Sequence, residues 1–263
     1  KNKKYQIEPP KEILEKSYDM NNSNVHLPSN FLQLQKHHMV QLPNYYEHLN
    51  EKNNMELPLL IDDVLTSDEI NIILDYSKSI EESNWYKNSS QNDFWKGRTF
   101  YMDFEKNNKS TKHIVSILKK WAHGVRKAAA KHYNLKHLIC DGPHLVRWLP
   151  DYELHPHCDQ EEPDGSKHPF PYRDFGSVTW LNDDYVGGQI YYPNINNYKP
   201  EMKVGTTSFH RGTCNPHMHG VTEITSGIRY TIASFWTCQK DAPESVIETA
   251  KDWGMNIDDK NIF

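Results

Sequence analysis

Between His144 and Thr237 the chain breaks into short strand-like runs separated by turn residues, and no other feature narrows the choice of fold as much. The runs are HLVRWL (144–149), FGSVTWL (175–181), GQIYYP (188–193), VGTTSFH (204–210) and RYTIASFWT (229–237). Pro150-Asp151, Asn182-Asp183, Gly187-Gly188 and Gly205 punctuate them. Several short strands at such spacing predict a β-sandwich or barrel.

The flanks read as helical. Residues 57–80 begin with a short apolar strand (Leu59, Leu60, Ile61) and continue as a helix. Thr66 and Glu69 have the spacing of a capping box, and Ile70, Ile73 and Leu74 form its apolar stripe. Residues 95–104 alternate like a strand. Residues 110–134 predict a long helix opened by Ser110, with Ile114, Ile117, Leu118, Trp121 and Val125 at spacings of three and four. A closing helix starts near Pro243. The expected class is mainly β with flanking helices (α+β), in three segments: a polar extension over 1–56, the main domain over 57–240 and a helical tail over 241–263. A chain of 263 residues can bury a full core without staples.

Composition excludes more than it assigns. The net charge of −5 offers no basic field to recruit nucleic acid or acidic membranes. No apolar run approaches the ~20 residues of a membrane span. The opening KNKKYQIEPP lacks the apolar stretch of a signal peptide. The four cysteines, Cys140, Cys158, Cys214 and Cys238, form no CxxC pair. They are expected as free thiols in a reducing compartment. A cytoplasmic protein follows, in the host cytoplasm if the gene is carried by a phage.

One short stretch points to chemistry. Residues 155–160 read HPHCDQ, and a strand presents residues i and i+2 on one face, so His157 and Asp159 can act together. His-x-Asp alone is worthless, since 15 histidines in 263 residues produce about one such pair by chance. Pro156 denies a ladder donor and predicts an edge strand or strand end. A third ligand is available downstream, at His217 or His219. Two histidines and one carboxylate on one side of an ion leave three positions open, as in non-haem Fe(II) oxygenases. Arg229 lies ten residues beyond His219, after a turn at Thr225-Ser226-Gly227. Its fork suits the far carboxylate of 2-oxoglutarate. Thr231, two further on, shares that strand face.

Taken together, HCD and HGVTEITSGIRYT resemble the 2-oxoglutarate- and Fe(II)-dependent dioxygenase superfamily, and its prolyl 4-hydroxylase-like branch in particular. LPLLIDDVLTSDEINIIL, WLNDDYVGGQIYYP and KVGTTSFH resemble further stretches of that branch, so the likeness runs over about 57–238. The resemblance implies a double-stranded β-helix (a cupin-like jelly roll) with helices packed on one sheet. It implies His157, Asp159 and His219 as iron ligands, and Arg229 as the cation for 2-oxoglutarate. Trp148 stands where the branch often has a tyrosine that contacts 2-oxoglutarate. Arg173 stands where it often has an arginine near the substrate. The implied cofactors are Fe(II), 2-oxoglutarate and O2, with ascorbate as a candidate reductant. The implied reaction is hydroxylation with release of CO2 and succinate, and the leading substrate is a peptidyl proline. The loop over 160–172 is a candidate lid. His155 and His217 are expected to lie behind the ligands or at the surface, Cys158 in packing, and Trp180 and Trp236 as strand aromatics, core first and pocket wall second. Two alternatives remain: hydroxylation of a free amino acid or other small metabolite, and a non-catalytic cupin-like module that binds metal or 2-oxoglutarate.

Overall fold

The computed structural model describes residues 56–89, 92–164, 166–259 and 262. The expected extension over 1–56 falls, apart from Glu56, outside them. Among the described residues there are twelve strands: β1 (Leu59–Ile61), β2 (Thr99–Tyr101), β3 (Ile139–Cys140), β4 (His144–Trp148), β5 (Leu154–His157), β6 (Phe175–Trp180), β7 (Val186–Gly187), β8 (Ile190–Tyr191), β9 (Thr207–Arg211), β10 (His219–Val221), β11 (Ile224–Ser226) and β12 (Arg229–Thr237). The helices among the described residues are α1 (Ser67–Ser79), α2 (Glu82–Lys87), α3 (Lys112–Tyr133) and α4 (Glu244–Asp252), with a short α-helical turn at Cys214–His217 and 3-10 turns at Met102–Phe104, Lys109–Thr111 and Pro193–Ile195. No helix among the described residues is long and apolar enough to cross a membrane.

The main sheet runs β1-β9-β6-β12-β4-β2, with β3 pairing the end of β12. Every pairing is antiparallel. A second sheet, β5-β10-β8, and a two-stranded β11-β7 ribbon complete the strand set. Because side chains alternate along a strand, β12 presents two different faces. Tyr230, Ile232 and Trp236 join Leu118, Trp121 and Val125 of α3 in the large apolar core. Arg229, Thr231, Ala233 and Phe235 point the other way. That face meets the smaller sheets, through Val146 and Trp148 packed with Val221 and Ile224, and through Trp180 packed with Ile190 and Tyr192.

Local chemistry explains most of the element ends. The capping box of α1 is present: Thr66 Oγ1 accepts from the Glu69 N–H, and Glu69 Oε2 accepts from the Thr66 N–H at 2.8 Å. α3 does not open at Ser110 as expected. A 3-10 turn over Lys109–Thr111 precedes it, and the Asn108 side chain caps that turn. Asn134, in the left-handed region at φ 52°, ends the helix. The strand expected over 95–104 shrinks to Thr99–Tyr101 because Gly97, at φ +76°, turns the chain just before it. α4 starts after Pro243, at the expected place.

The expectation of four free thiols is corrected. Cys158 and Cys214 form a disulfide, whereas Cys140 and Cys238 are free. Cys158 does turn away from the side chains on either side of it, but to a covalent partner 56 residues away rather than into simple packing. No sequence spacing signals that contact, because the loops that carry the two residues meet only once the sheets stack.

Candidate functional site

β5 is an edge strand of its sheet, as Pro156 requires, and it delivers His157 at its end. His219 opens β10 and is the direct cross-strand partner of His157, with ring centroids 4.4 Å apart. Asp159 lies just beyond β5. Its N–H and that of Gln160 both donate to the Gly212 carbonyl at 2.9 Å, which bends the chain back over β6 and β9. One ligand atom from each of His157, Asp159 and His219 lies within 4.8 Å of the others, the arrangement a metal ion requires.

The histidine tautomers are preset for such an ion. His157 Nδ1 lies 3.1 Å from the His155 carbonyl, and His219 Nδ1 lies 3.0 Å from the His217 carbonyl. A carbonyl can only accept, so each Nδ1 carries the proton and each Nε2 keeps a free lone pair. Those Nε2 atoms face Asp159 at 3.6 and 3.9 Å. Burial pushes the Asp159 carboxyl up, but His219, His157 and His210 together outweigh it and hold the group well below its usual range. Burial, then the neighbouring His210 and His157, lower His219, so it stays neutral and able to ligate. The donor set therefore fits a divalent ion bound on one side.

His217, the rival third ligand, is fully engaged elsewhere. Its Nδ1 accepts from the Arg211 N–H at 2.9 Å, and its Nε2 donates to the Glu56 carbonyl at 2.8 Å. Neither nitrogen has a lone pair left, and burial lowers its pKa to about 4. His155 pairs instead with Glu153 at 3.8 Å.

Arg229 is 1 % exposed, and its Nε and Nη1 have no hydrogen-bond partner. Burial lowers its pKa to about 10, so it is still charged at neutral pH. Trp148 is its cross-strand partner, with Arg229 Cζ 5.8 Å from the indole ring, and Tyr185 stands beside it. Thr231 lies two residues along β12 on the same face, also buried, opposite Trp180 of β6. Trp180 was expected as core first. It is fully buried in the smaller core cluster with Ile190, Tyr192 and Ile195, and its Nε1–H has no partner.

Arg173 lies away from Arg229, at the other end of β12. Its guanidinium stacks between Phe170 and Phe235, with Cζ 3.8 and 3.6 Å from the ring centroids. It sits 3.8 Å from Asp141, and its Nε is unpartnered. Two neighbours of the triad escaped sequence reasoning. His210 comes within 3.4 Å of Asp159, and Gly176 leaves the space for both. Alternation along β9 puts Ser208 and His210 on one face, but nothing local says that this face meets Asp159.

No family model and no curated protein sequence matches the chain. Solved structures do. A prolyl 4-hydroxylase structure from Phytophthora capsici is 16 % identical, with a TM-score of 0.50 over 76 % of this chain and 68 % of that one. A viral collagen prolyl hydroxylase from Paramecium Bursaria Chlorella virus-1, in its 2OG complex, is 14 % identical, with a TM-score of 0.48 over 69 % and 96 %. A Pseudomonas putida prolyl-4-hydroxylase is 10 % identical, with a TM-score of 0.44 over 68 % and 91 %. At these identities the likeness is one of fold. The sequence resemblance to the prolyl 4-hydroxylase-like branch of the 2-oxoglutarate- and Fe(II)-dependent dioxygenases thus has its counterpart in three dimensions: the chain shares its fold with the Phytophthora capsici enzyme.

Proposed function

We propose that the protein is an Fe(II)- and 2-oxoglutarate-dependent dioxygenase that hydroxylates an unactivated C–H bond, with a peptidyl proline as the leading substrate and CO2 and succinate as co-products. Its catalytic unit is a double-stranded β-helix over 57–240, with 1–56 an extension and 241–263 a tail. The observation that carries this reading is Arg229. A buried, charged guanidinium with Nε and Nη1 unpartnered is costly unless an anion joins it, and it lies on the sheet face that also meets the triad. A plain metal-binding cupin has no need of such a group.

His157, Asp159 and His219 would hold Fe(II) from one side. Arg229 would take the far carboxylate of 2-oxoglutarate, with Thr231 and the indole N–H groups of Trp148 and Trp180 as further donors. When bound, Fe(II) and 2-oxoglutarate supply the activation of O2 that oxidises the C–H bond. The chain positions both, excludes water and keeps Asp159 ionised. An aspartate at this position, rather than a small residue, leaves no room for halide and favours hydroxylation. Arg173, held between Phe170 and Phe235, would meet the substrate where the 160–172 loop covers the site. We keep the cytoplasm as the proposed location, and the Cys158–Cys214 disulfide counts against it, because disulfides are rare in reducing compartments.

The test is spectroscopic. Anaerobic protein with Fe(II) and 2-oxoglutarate should show a weak visible metal-to-ligand band that neither component gives alone. The band should vanish in Arg229→Ala and His219→Ala. Succinate release with proline peptides then addresses the substrate. Folded, metal-loaded protein without the band would sink the dioxygenase reading.

A further inference from the structure

The proposed ion needs a carboxylate ligand whose second oxygen is also satisfied. Asp159 is 6 % exposed, and its Oδ2 has no hydrogen-bond partner. A buried carboxylate oxygen in that state calls for a donor. The nearest nitrogen is His210 Nε2 at 3.4 Å, which is likewise buried and unpartnered. His210 belongs to β9, not to either ligand-bearing strand, and is 1 % exposed. Its ring centroid is 4.2 Å from that of His219.

The other edge of the His210 ring accommodates a proton on Nε2. Nδ1 is 3.1 Å from the Tyr192 hydroxyl, which is 3.0 Å from Ser208 Oγ. Burial pushes the Tyr192 phenol up, so it keeps its proton. An ionised Asp159 Oδ2 can only accept, so the contact with Nε2 at 3.4 Å favours the imidazole proton on Nε2, with Tyr192 donating to Nδ1 and Ser208 donating to Tyr192. The backbone is shaped for this contact. Gly176 is the strand partner of His210, and a Cβ there would come within 2.6 Å of both Asp159 Oδ2 and His210 Nε2. His210 is not one of the three residues whose ligand atoms converge.

We propose that His210 is a positioning residue that donates from Nε2 to Asp159 Oδ2, so that the carboxylate binds the ion through one oxygen and leaves the remaining positions open. The proposal rests on the metal site described above. A second oxygen free to swing onto the ion would occupy a position that cosubstrate or oxygen needs. The hydrogen bond also orients the ligand before metal arrives.

The test uses Co(II) as the probe, titrated into wild-type, His210→Ala, His210→Gln, Tyr192→Phe and Gly176→Ala proteins, with the Co(II) d–d spectrum recorded at saturation. His210→Ala should bind Co(II) about 10- to 100-fold more weakly, the usual effect of losing such a partner. Its circular dichroism should be unchanged. His210→Gln, whose amide can donate from a similar place, should recover most of the affinity. Tyr192→Phe should show a smaller loss and Gly176→Ala a loss comparable to His210→Ala. If His210→Ala does not fold, His210→Gln and Gly176→Ala carry the test. Affinity within twofold of wild type in folded His210→Ala or folded Gly176→Ala overturns the proposal. So does a d–d spectrum that loses a nitrogen ligand in His210→Ala, since His210 would then be a ligand. A wild-type protein that binds no Co(II) overturns the metal-site reading itself, an outcome distinct from either.

Discussion

The two faces of the main sheet are built from the same strands and differ in one respect, the satisfaction of their polar groups. On the helix side, Trp121 Nε1 donates to Thr179 Oγ1 at 2.8 Å, and Thr179 meets Thr207 Oγ1 at 2.6 Å. Trp236 Nε1 donates to Ser177 Oγ at 2.8 Å, and Ser177 donates to the Ser234 carbonyl. On the opposite side, Trp180 Nε1, Arg229 Nε and Nη1, His210 Nε2 and Asp159 Oδ2 are all buried with no partner. An unmade buried hydrogen bond costs about 1–3 kcal/mol. The helix side leaves only scattered groups such as the Tyr133 hydroxyl, whereas the other face gathers the Trp180 and Arg229 donors together, as the proposed cosubstrate pocket requires. The first face holds the protein together. The second is held open at the expense of stability.

Mutations should separate the two. The largest effect is expected on the helix side. Trp236→Ala removes a ring packed on Trp121 and Phe209, together with the indole N–H that donates to Ser177. It should lower unfolding free energy by about 3–5 kcal/mol. Co(II) affinity of the molecules that remain folded should not change. Denaturant titration and metal titration on one sample check this, and a joint loss would break the contrast.

On the open side the signs should reverse at Arg229. Arg229→Met removes a buried charge, so the ligand-free protein should melt a few degrees higher, while affinity for 2-oxoglutarate falls by about 100-fold. Scanning calorimetry with and without the cosubstrate reads both quantities. A lower ligand-free melting point would mean that Arg229 is structural. The smallest effect is expected from Trp180→Phe, which keeps an aromatic ring of smaller size and deletes one unpartnered N–H. The loss in 2-oxoglutarate affinity should be about fivefold, near 1 kcal/mol for one hydrogen bond. Ligand-free stability should fall by about 1–2 kcal/mol, because the smaller ring leaves a cavity at a fully buried position. An unchanged affinity would remove Trp180 from the cosubstrate pocket and sharpen the assignment to Arg229, Thr231 and Trp148.

Much of this was legible in the chain. The capping box at Thr66 and Glu69, the stripe of α3 and the strand at Leu59–Ile61 depend on contacts within a few residues, and the structure has them where the pattern put them. Pro156 marked an edge strand for the same local reason. Strand lengths were less legible. Gly97 cut one short, and Gly187 and Gly188, both at positive φ, split the run 188–193 away from its neighbour. The choice between His217 and His219 could not be made from residue type. The structure separates them by the Arg211 and Glu56 groups that occupy both nitrogens of His217.

The sequence by itself determined the alternation that gives each strand two faces, the helices that cover one of them, and a His-x-Asp with an arginine in reach of a later histidine. Tertiary structure decided which face each strand turned inward and what met across the gap. It brought Cys158 to Cys214, Trp180 to the open side, and His210 to Asp159. These contacts join residues about 50 apart through the register of the sheets, and a slip of one residue would turn each of those side chains to the opposite face. Local periodicity is written along the chain, whereas register is settled only when all the strands pack at once.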